Sequence, residues 1–183
     1  MDSFEQVVSE ILWMEGYWVR TSVKVNLTKE EKVQIKKPSS PRWELDIVAY
    51  SGQKNELKIV ECKSYLDSRG VIASAFGGSR EARKDRFKLF NDANLRAVIF
   101  KRLKAQLFEC GACQQNPQIR LCLAAGKIQK NNSNSLQKVF KANDWELMDQ
   151  KWLKEKLELM AAQSYENQVS SVVAKLLVRN AIQ

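Results

Sequence analysis

Histidine is missing from this chain of 183 residues. Its absence removes histidine acid–base catalysis, Ser-His and Cys-His nucleophile pairs, and zinc sites of the Cys₂His₂ or His₃ kind. Prolines number three and glycines seven, and neither a low-complexity linker nor an internal repeat is visible. No apolar run approaches the roughly 20 residues a membrane helix needs. The opening "MDSFEQVV" is acidic and lacks a signal peptide's basic start and apolar middle. A cytoplasmic protein with no membrane partner is therefore expected. The four cysteines are Cys62, Cys110, Cys113 and Cys122. "CGAC" at 110–113 resembles half a zinc site, but no second pair of that spacing follows. Reduced thiols are the expectation.

What is present is a globular composition, 44% hydrophobic and 28% charged, over a length that suits one domain with a real core. Lys and Arg number 30 against 21 acids, a net charge of +9, which points to a polyanionic partner. The surplus is uneven. From Arg69 to Lys104 ten basic residues face three acids. Helical spacing of Phe4, Val7, Val8, Ile11 and Leu12 predicts a first helix, with Asp2 as its cap and Gly16 as its stop. Strands are predicted over 17–27, 43–50, 56–64 and 118–125. Residues 28–42 read as a charged turn or loop, and 66–80 as a mobile loop or broken helix start. A basic helical stretch is expected over 81–109, interrupted near "FNDAN". A helix at 136–142, a short strand at "WELMD" and two amphipathic helices complete an α/β domain. Its core spans about 1–130 and its C-terminal helical layer about 135–183.

"WELDIVAY" at 43–50 and "ELKIVECKSY" at 56–65 carry charge in the most β-prone part of the chain. Ile47, Val48, Leu57, Ile59 and Val60 mark strands buried on both faces, where a charge must be paired or hold metal. Alternation puts Glu44 and Asp46 on one face of the first strand and Glu61 and Lys63 on one face of the second. A short hairpin brings Asp46 opposite Glu61. Two such carboxylates repel unless a divalent cation lies between them, and Mg²⁺ accepts one or two carboxylates with waters and phosphate oxygens. The bland alternative is a cross-strand salt bridge on a surface hairpin, worth a fraction of a kcal/mol.

Asp46, a hairpin, then Glu61-Cys62-Lys63 resembles the PD-(D/E)XK nuclease superfamily. "FEQVVSEILWMEGYWV" followed by "ELDIVAY" and "LKIVECKSY" is similar to its Holliday-junction resolvase and Mrr-like branches, over roughly residues 4–65. Leu45 stands where the superfamily's name has proline. The resemblance implies a restriction-endonuclease-like core, a central mixed β-sheet flanked by helices, with additional C-terminal helices, as a single nuclease domain. It implies Mg²⁺, or Mn²⁺ in its place, held by Asp46, Glu61 and the backbone carbonyl of Cys62, whose thiol then points away. Lys63 would act on the attacking water and on the charge of the transition state. An extra acid on the first helix is also implied. On a wheel of about 100° per residue Glu5 lies at the edge of the apolar stripe and Glu10 faces solvent, so Glu5 is the candidate, although Asp2-x-x-Glu5 also fits a capping box. Arg69, Arg80, Arg83, Lys84 and Arg86 are the expected DNA contacts. The implied activity is a DNA endonuclease of restriction, defence or branched-DNA processing, as a dimer or as a subunit of a larger nuclease assembly. The alternative is an inactive nucleic-acid-binding or assembly subunit of the same fold.

Overall fold

Helix α1 (Ser3–Met14) begins at Asp2, whose carboxylate accepts the Glu5 amide, and gives way to Gly16 at φ +87. The computed structural model describes residues 2–36, 39, 42–76, 86–164 and 166–180. Among these residues five strands form one sheet: β1 (Trp18–Val25), β2 (Trp43–Ser51), β3 (Glu56–Lys63), β4 (Gln118–Ala125) and β5 (Glu146–Met148), ordered β1-β2-β3-β4-β5. The first three pair antiparallel and the last two join in parallel, so the sheet is mixed. Parallel neighbours need a crossover. Between β3 and β4 it contains α3 (Lys88–Asn91) and α4 (Ala93–Glu109), separated at Asp92, which caps α4 through the Leu95 amide. The break falls within "FNDAN", as the sequence predicts.

Both faces of the sheet are covered. On one, Val48, Ile59, Leu121 and Leu123 meet Leu95, Ile99 and Leu103 of α4, together with Leu136 and Phe140 of α5 (Ser133–Ala142). Phe76, Phe87, Phe90, Phe140 and Trp145 form an aromatic cluster there, with centroids 4.5–6.4 Å apart. On the other face, Ile47, Ala49, Val60, Cys62 and Cys122 meet α1, α6 (Gln150–Ala162) and α7 (Val169–Asn180). The segments Ile47–Ala49 of β2 and Ile59–Val60 of β3 are apolar on successive residues because both sides are buried.

Two local features differ from the sequence reading. Residues 28–42, expected as a loop, contain α2 (Lys29–Gln34). Thr28 accepts the Glu31 amide at 3.2 Å and Glu31 accepts the Thr28 amide at 2.9 Å, a reciprocal cap. Arg102 of α4 then grips Glu31 at 2.9 and 3.0 Å. The second feature is a kink. The β1/β2 register pairs Thr21 with Ile47 and Val23 with Leu45, but Ser22, at φ +51, and Asp46 between them drop out. Leu45 and Ile47 consequently lie in opposite cores, whereas residues two apart in a regular strand share a face.

The chain leaving β3 is locked to the chain leaving β4. Val71 bridges Ile128, its amide bonding the Lys127 carbonyl at 2.9 Å. Gly126 lies so close to Ser64 that a Cβ there would sit 2.5 Å from the Ser64 carbonyl oxygen. Only glycine fits this contact, which fixes the end of β3 beyond Lys63.

Candidate active site

The β2/β3 ladder runs from Ser51↔Glu56 to Ile47↔Val60 and stops. One step further in that register Asp46 faces Glu61, and here the strands part while β3 stays paired with β4 as far as Lys63↔Ala125. Alternation turns Ile59, Glu61 and Lys63 toward the α4 side and Val60 and Cys62 toward the α1 side. The Cys62 thiol is therefore buried on the face opposite Glu61 and Lys63, and burial, with Asp46 and Glu5 nearby, pushes its pKa upward.

Asp46, Glu61 and Lys63 converge on one cavity of ≈ 170 Å³, which Trp43, Glu44, Arg86 and Lys88 also line. Lys63 Nζ lies 3.1 Å from Glu61 Oε1 and 3.9 Å from Asp46 Oδ2. The side chains are 15% (Glu61), 25% (Lys63) and 29% (Asp46) exposed, so this is not a solvated surface pair. Burial raises the Glu61 carboxyl from 4.5 to about 7, against the pull of Lys63. Burial also works against the Lys63 ammonium, but Glu61 and Asp46 outweigh it and hold Lys63 above the ordinary lysine value.

Asp46 is oriented by backbone. The Cys62 amide donates to Asp46 Oδ2 at 2.8 Å, a contact that the kink at Ser22 and Asp46 makes possible. In an extended strand the N–H and C=O of one residue point the same way, so the Cys62 carbonyl also faces the gap beside Asp46. The Lys63 carbonyl points to the other side, accepting the Gly126 amide at 3.0 Å. Among the described residues no group of three or more His, Cys, Asp or Glu side chains is arranged to hold a metal. Two carboxylates and a backbone carbonyl are nevertheless an all-oxygen set of the kind Mg²⁺ or Mn²⁺ takes, with water and phosphate oxygens completing the shell. Lys63 occupies the place to which these carboxylates would draw a cation.

The two helix acids sit elsewhere. Glu5 does not line the cavity. Its carboxylate accepts the Asp2 amide at 3.2 Å, and its helix packs on the Cys62 side of the sheet. Glu10, expected to face solvent, is half-buried and accepts the Ser170 amide of α7 at 2.9 Å. It caps a helix 160 residues away in sequence. Of the expected DNA contacts, Arg69 and Arg86 line a neighbouring cavity of ≈ 210 Å³ with Tyr65 and Gly70. Arg80, Arg83 and Lys84 lie outside the described residues. Lys88 and Trp43 were not singled out from the sequence. Lys88 stands two residues beyond Arg86 in the basic block, the one signal that could have found it.

All four cysteines are free thiols, Cys110 exposed and Cys113 buried. Among the described residues no helix is long and apolar enough to cross a membrane. At the opposite end of the sheet Lys58 pairs with Glu146 at 2.8 Å and Tyr17 donates to Glu56 at 2.8 Å. These bonds join β3 to β5 and to the start of β1. Compared with protein-family models, curated proteins and solved structures, the chain gives no match.

Proposed function

We propose that this chain is a divalent-metal-dependent endonuclease of the PD-(D/E)XK type, hydrolysing DNA phosphodiester bonds with Asp46, Glu61 and Lys63. The observation that supports this most is the convergence of those side chains, with Lys63 Nζ 3.1 and 3.9 Å from the two carboxylates, in a half-buried cavity rimmed by Arg86 and Lys88. Stability alone accounts poorly for it. Each partly desolvated charge costs several kcal/mol, and apolar residues of similar volume would pack here at no such cost.

In this reading Asp46, Glu61 and the Cys62 carbonyl hold Mg²⁺, or Mn²⁺ in its place. When bound, the ion supplies Lewis-acid stabilisation of charge on the scissile phosphate. Lys63 is held protonated by its neighbours, so its part is to donate: to the attacking water, orienting its lone pair toward phosphorus, or to the phosphoryl oxygens as charge builds. It is not the base. Asp46, fixed by the Cys62 amide, keeps the carboxylates in register. Arg69, Arg86 and Lys88 contact flanking phosphates, which set affinity and orientation but carry no sequence information.

Incubation with supercoiled plasmid and Mg²⁺ or Mn²⁺ should nick or linearise it, and EDTA should stop the reaction. Lys63→Ala should cut at least about 100-fold more slowly while binding DNA nearly as well, because one lysine is a small part of a multi-phosphate footprint. Asp46→Ala should lose cleavage and metal binding together. Cleavage by Lys63→Ala at the wild-type rate would reduce the cluster to a salt-bridged strand pair.

A further inference from the structure

The cavity beside the carboxylates has the wrong lining for a phosphate alone. Arg69 and Arg86, both exposed, give it positive charge, but its walls include Val71, Ile72 and the ring of Phe87. Val71 and Phe87 are buried. A phosphate drawn into ≈ 210 Å³ of such lining would lose its water to groups that cannot bond it. Tyr65 brings a second ring, and Gln129 a side-chain amide that both donates and accepts. The walls are held in place. The Val71 amide bonds the Lys127 carbonyl and the Gln129 amide bonds the Val71 carbonyl, both at 2.9 Å. A Cβ on Gly70 would sit 2.9 Å from the Gln129 nitrogen. Tyr65 is turned by a φ of +47, and its carbonyl accepts the Ser68 amide at 3.1 Å. The recess also adjoins the carboxylate cavity. Arg86 lines both, and Tyr65 stands two residues beyond Lys63, near enough to act on its charge.

We propose that this cavity takes the unstacked base of a nucleotide next to the scissile phosphate. A base has a flat apolar face, a hydrogen-bonding edge and an anionic backbone, and the lining offers a match for each. The rings of Tyr65 and Phe87 give the face a surface on which any base stacks. The Gln129 amide meets the edge with a donor and an acceptor. Arg69 and Arg86 hold phosphates at the mouth. Preformed apolar walls with a few convergent polar groups are the usual make-up of a ligand site. The proposal rests on the nuclease reading for the position of the scissile phosphate. Its consequence is selectivity, which phosphate contacts alone do not supply. A base must leave its stack to enter, and a mismatched or unpaired base leaves most readily.

Calorimetric titration of the metal-free chain with deoxynucleoside 5′-monophosphates and with deoxyribose 5-phosphate tests the pocket apart from cleavage. The nucleotides should bind at least about fivefold more tightly than the sugar phosphate. Tyr65→Ala should remove that difference with circular dichroism unchanged, and Tyr65→Phe, which keeps the ring, should retain it. Gln129→Ala should even out the affinities of the four nucleotides, and serves if Tyr65→Ala does not fold. In Mg²⁺ a duplex with one mismatched pair should be cut beside the mismatch at least about tenfold faster than the same duplex fully paired, and Tyr65→Ala should erase the preference. Equal binding of nucleotide and sugar phosphate, or folded variants with the wild-type binding profile, overturns the proposal. So does cleavage indifferent to the mismatch. Nucleotide binding that depends on Tyr65, in a chain that cuts no DNA, keeps the pocket and overturns the nuclease reading alone.

Discussion

Glu61 is half of a contradiction built into one residue: burial raises its carboxyl to about 7, while the role proposed for it needs a carboxylate. The stability side follows from the direction of the shift. A carboxyl at about 7 in the folded chain against 4.5 ordinarily binds its proton more tightly when folded. Its contribution to stability is whole below about pH 4.5 and is lost as pH rises through about 7. Metal-free protein should therefore melt at a lower temperature at pH 8 than at pH 5.5 on this group's account, and Glu61→Gln should flatten that part of the profile. The ligand side runs the other way. Metal must displace the proton, so Mg²⁺ or Mn²⁺ affinity measured by calorimetry should fall, by up to tenfold per unit, as pH drops below about 7. An affinity that stays flat from pH 8 to 6 would separate Glu61 from the metal. Lys63 moves with it, because a cation entering between the carboxylates must push the ammonium aside.

Elements explain which acids line the cavity and which cap helices. Glu5 completes the cap of α1 with Asp2, so Glu5→Gln, which keeps the acceptor and removes the charge, separates capping from chemistry. Stability should stay within about 0.5 kcal/mol and plasmid cleavage should be essentially unchanged. A tenfold or greater loss of cleavage at unchanged melting temperature would bring Glu5 into the site. Sequence alone disclosed the strands carrying Asp46, Glu61 and Lys63, because apolar runs with period-two charges are a local signal. It also disclosed the break at Asp92. It missed α2, although "TKEE" carries the capping signature, because the stretch has no apolar periodicity. Glu10 was misread for a different reason: its partner, the Ser170 amide, comes from the far end of the chain, and no window of sequence contains both. The kink at Ser22 left no trace, since a serine at positive φ is imposed by the strands around it.

At the scale of the whole molecule, the sheet separates two surfaces. Arg86 and Lys88 border the carboxylate cavity and Arg69 the cavity beside it on the α4 side, while the exposed aliphatic residues of α7 lie on the α1 side. Removing two phosphate contacts, as Arg86→Ala with Lys88→Ala, should reduce the slope of log affinity against log salt by about two, with little change in sequence preference. An unchanged slope would make that face merely solvated. The overall charge was legible from composition and the α/β class from the order of strands and helices, but which basic residues border the carboxylates depends on how the aromatic cluster of Phe76, Phe87, Phe90 and Phe140 seats α3. The sheet itself has an open side. β1 is an edge strand of eight residues, a length that in flat form invites a second chain to pair with it. Ser22 bends it midway, and Arg20 and Lys24 stand exposed on either side of the bend. The distortion that frees Asp46 thus also denies fibril growth a straight template. A change that straightened β1 would cost the protein its solubility along with its carboxylate, and its first symptom would be aggregate in the tube.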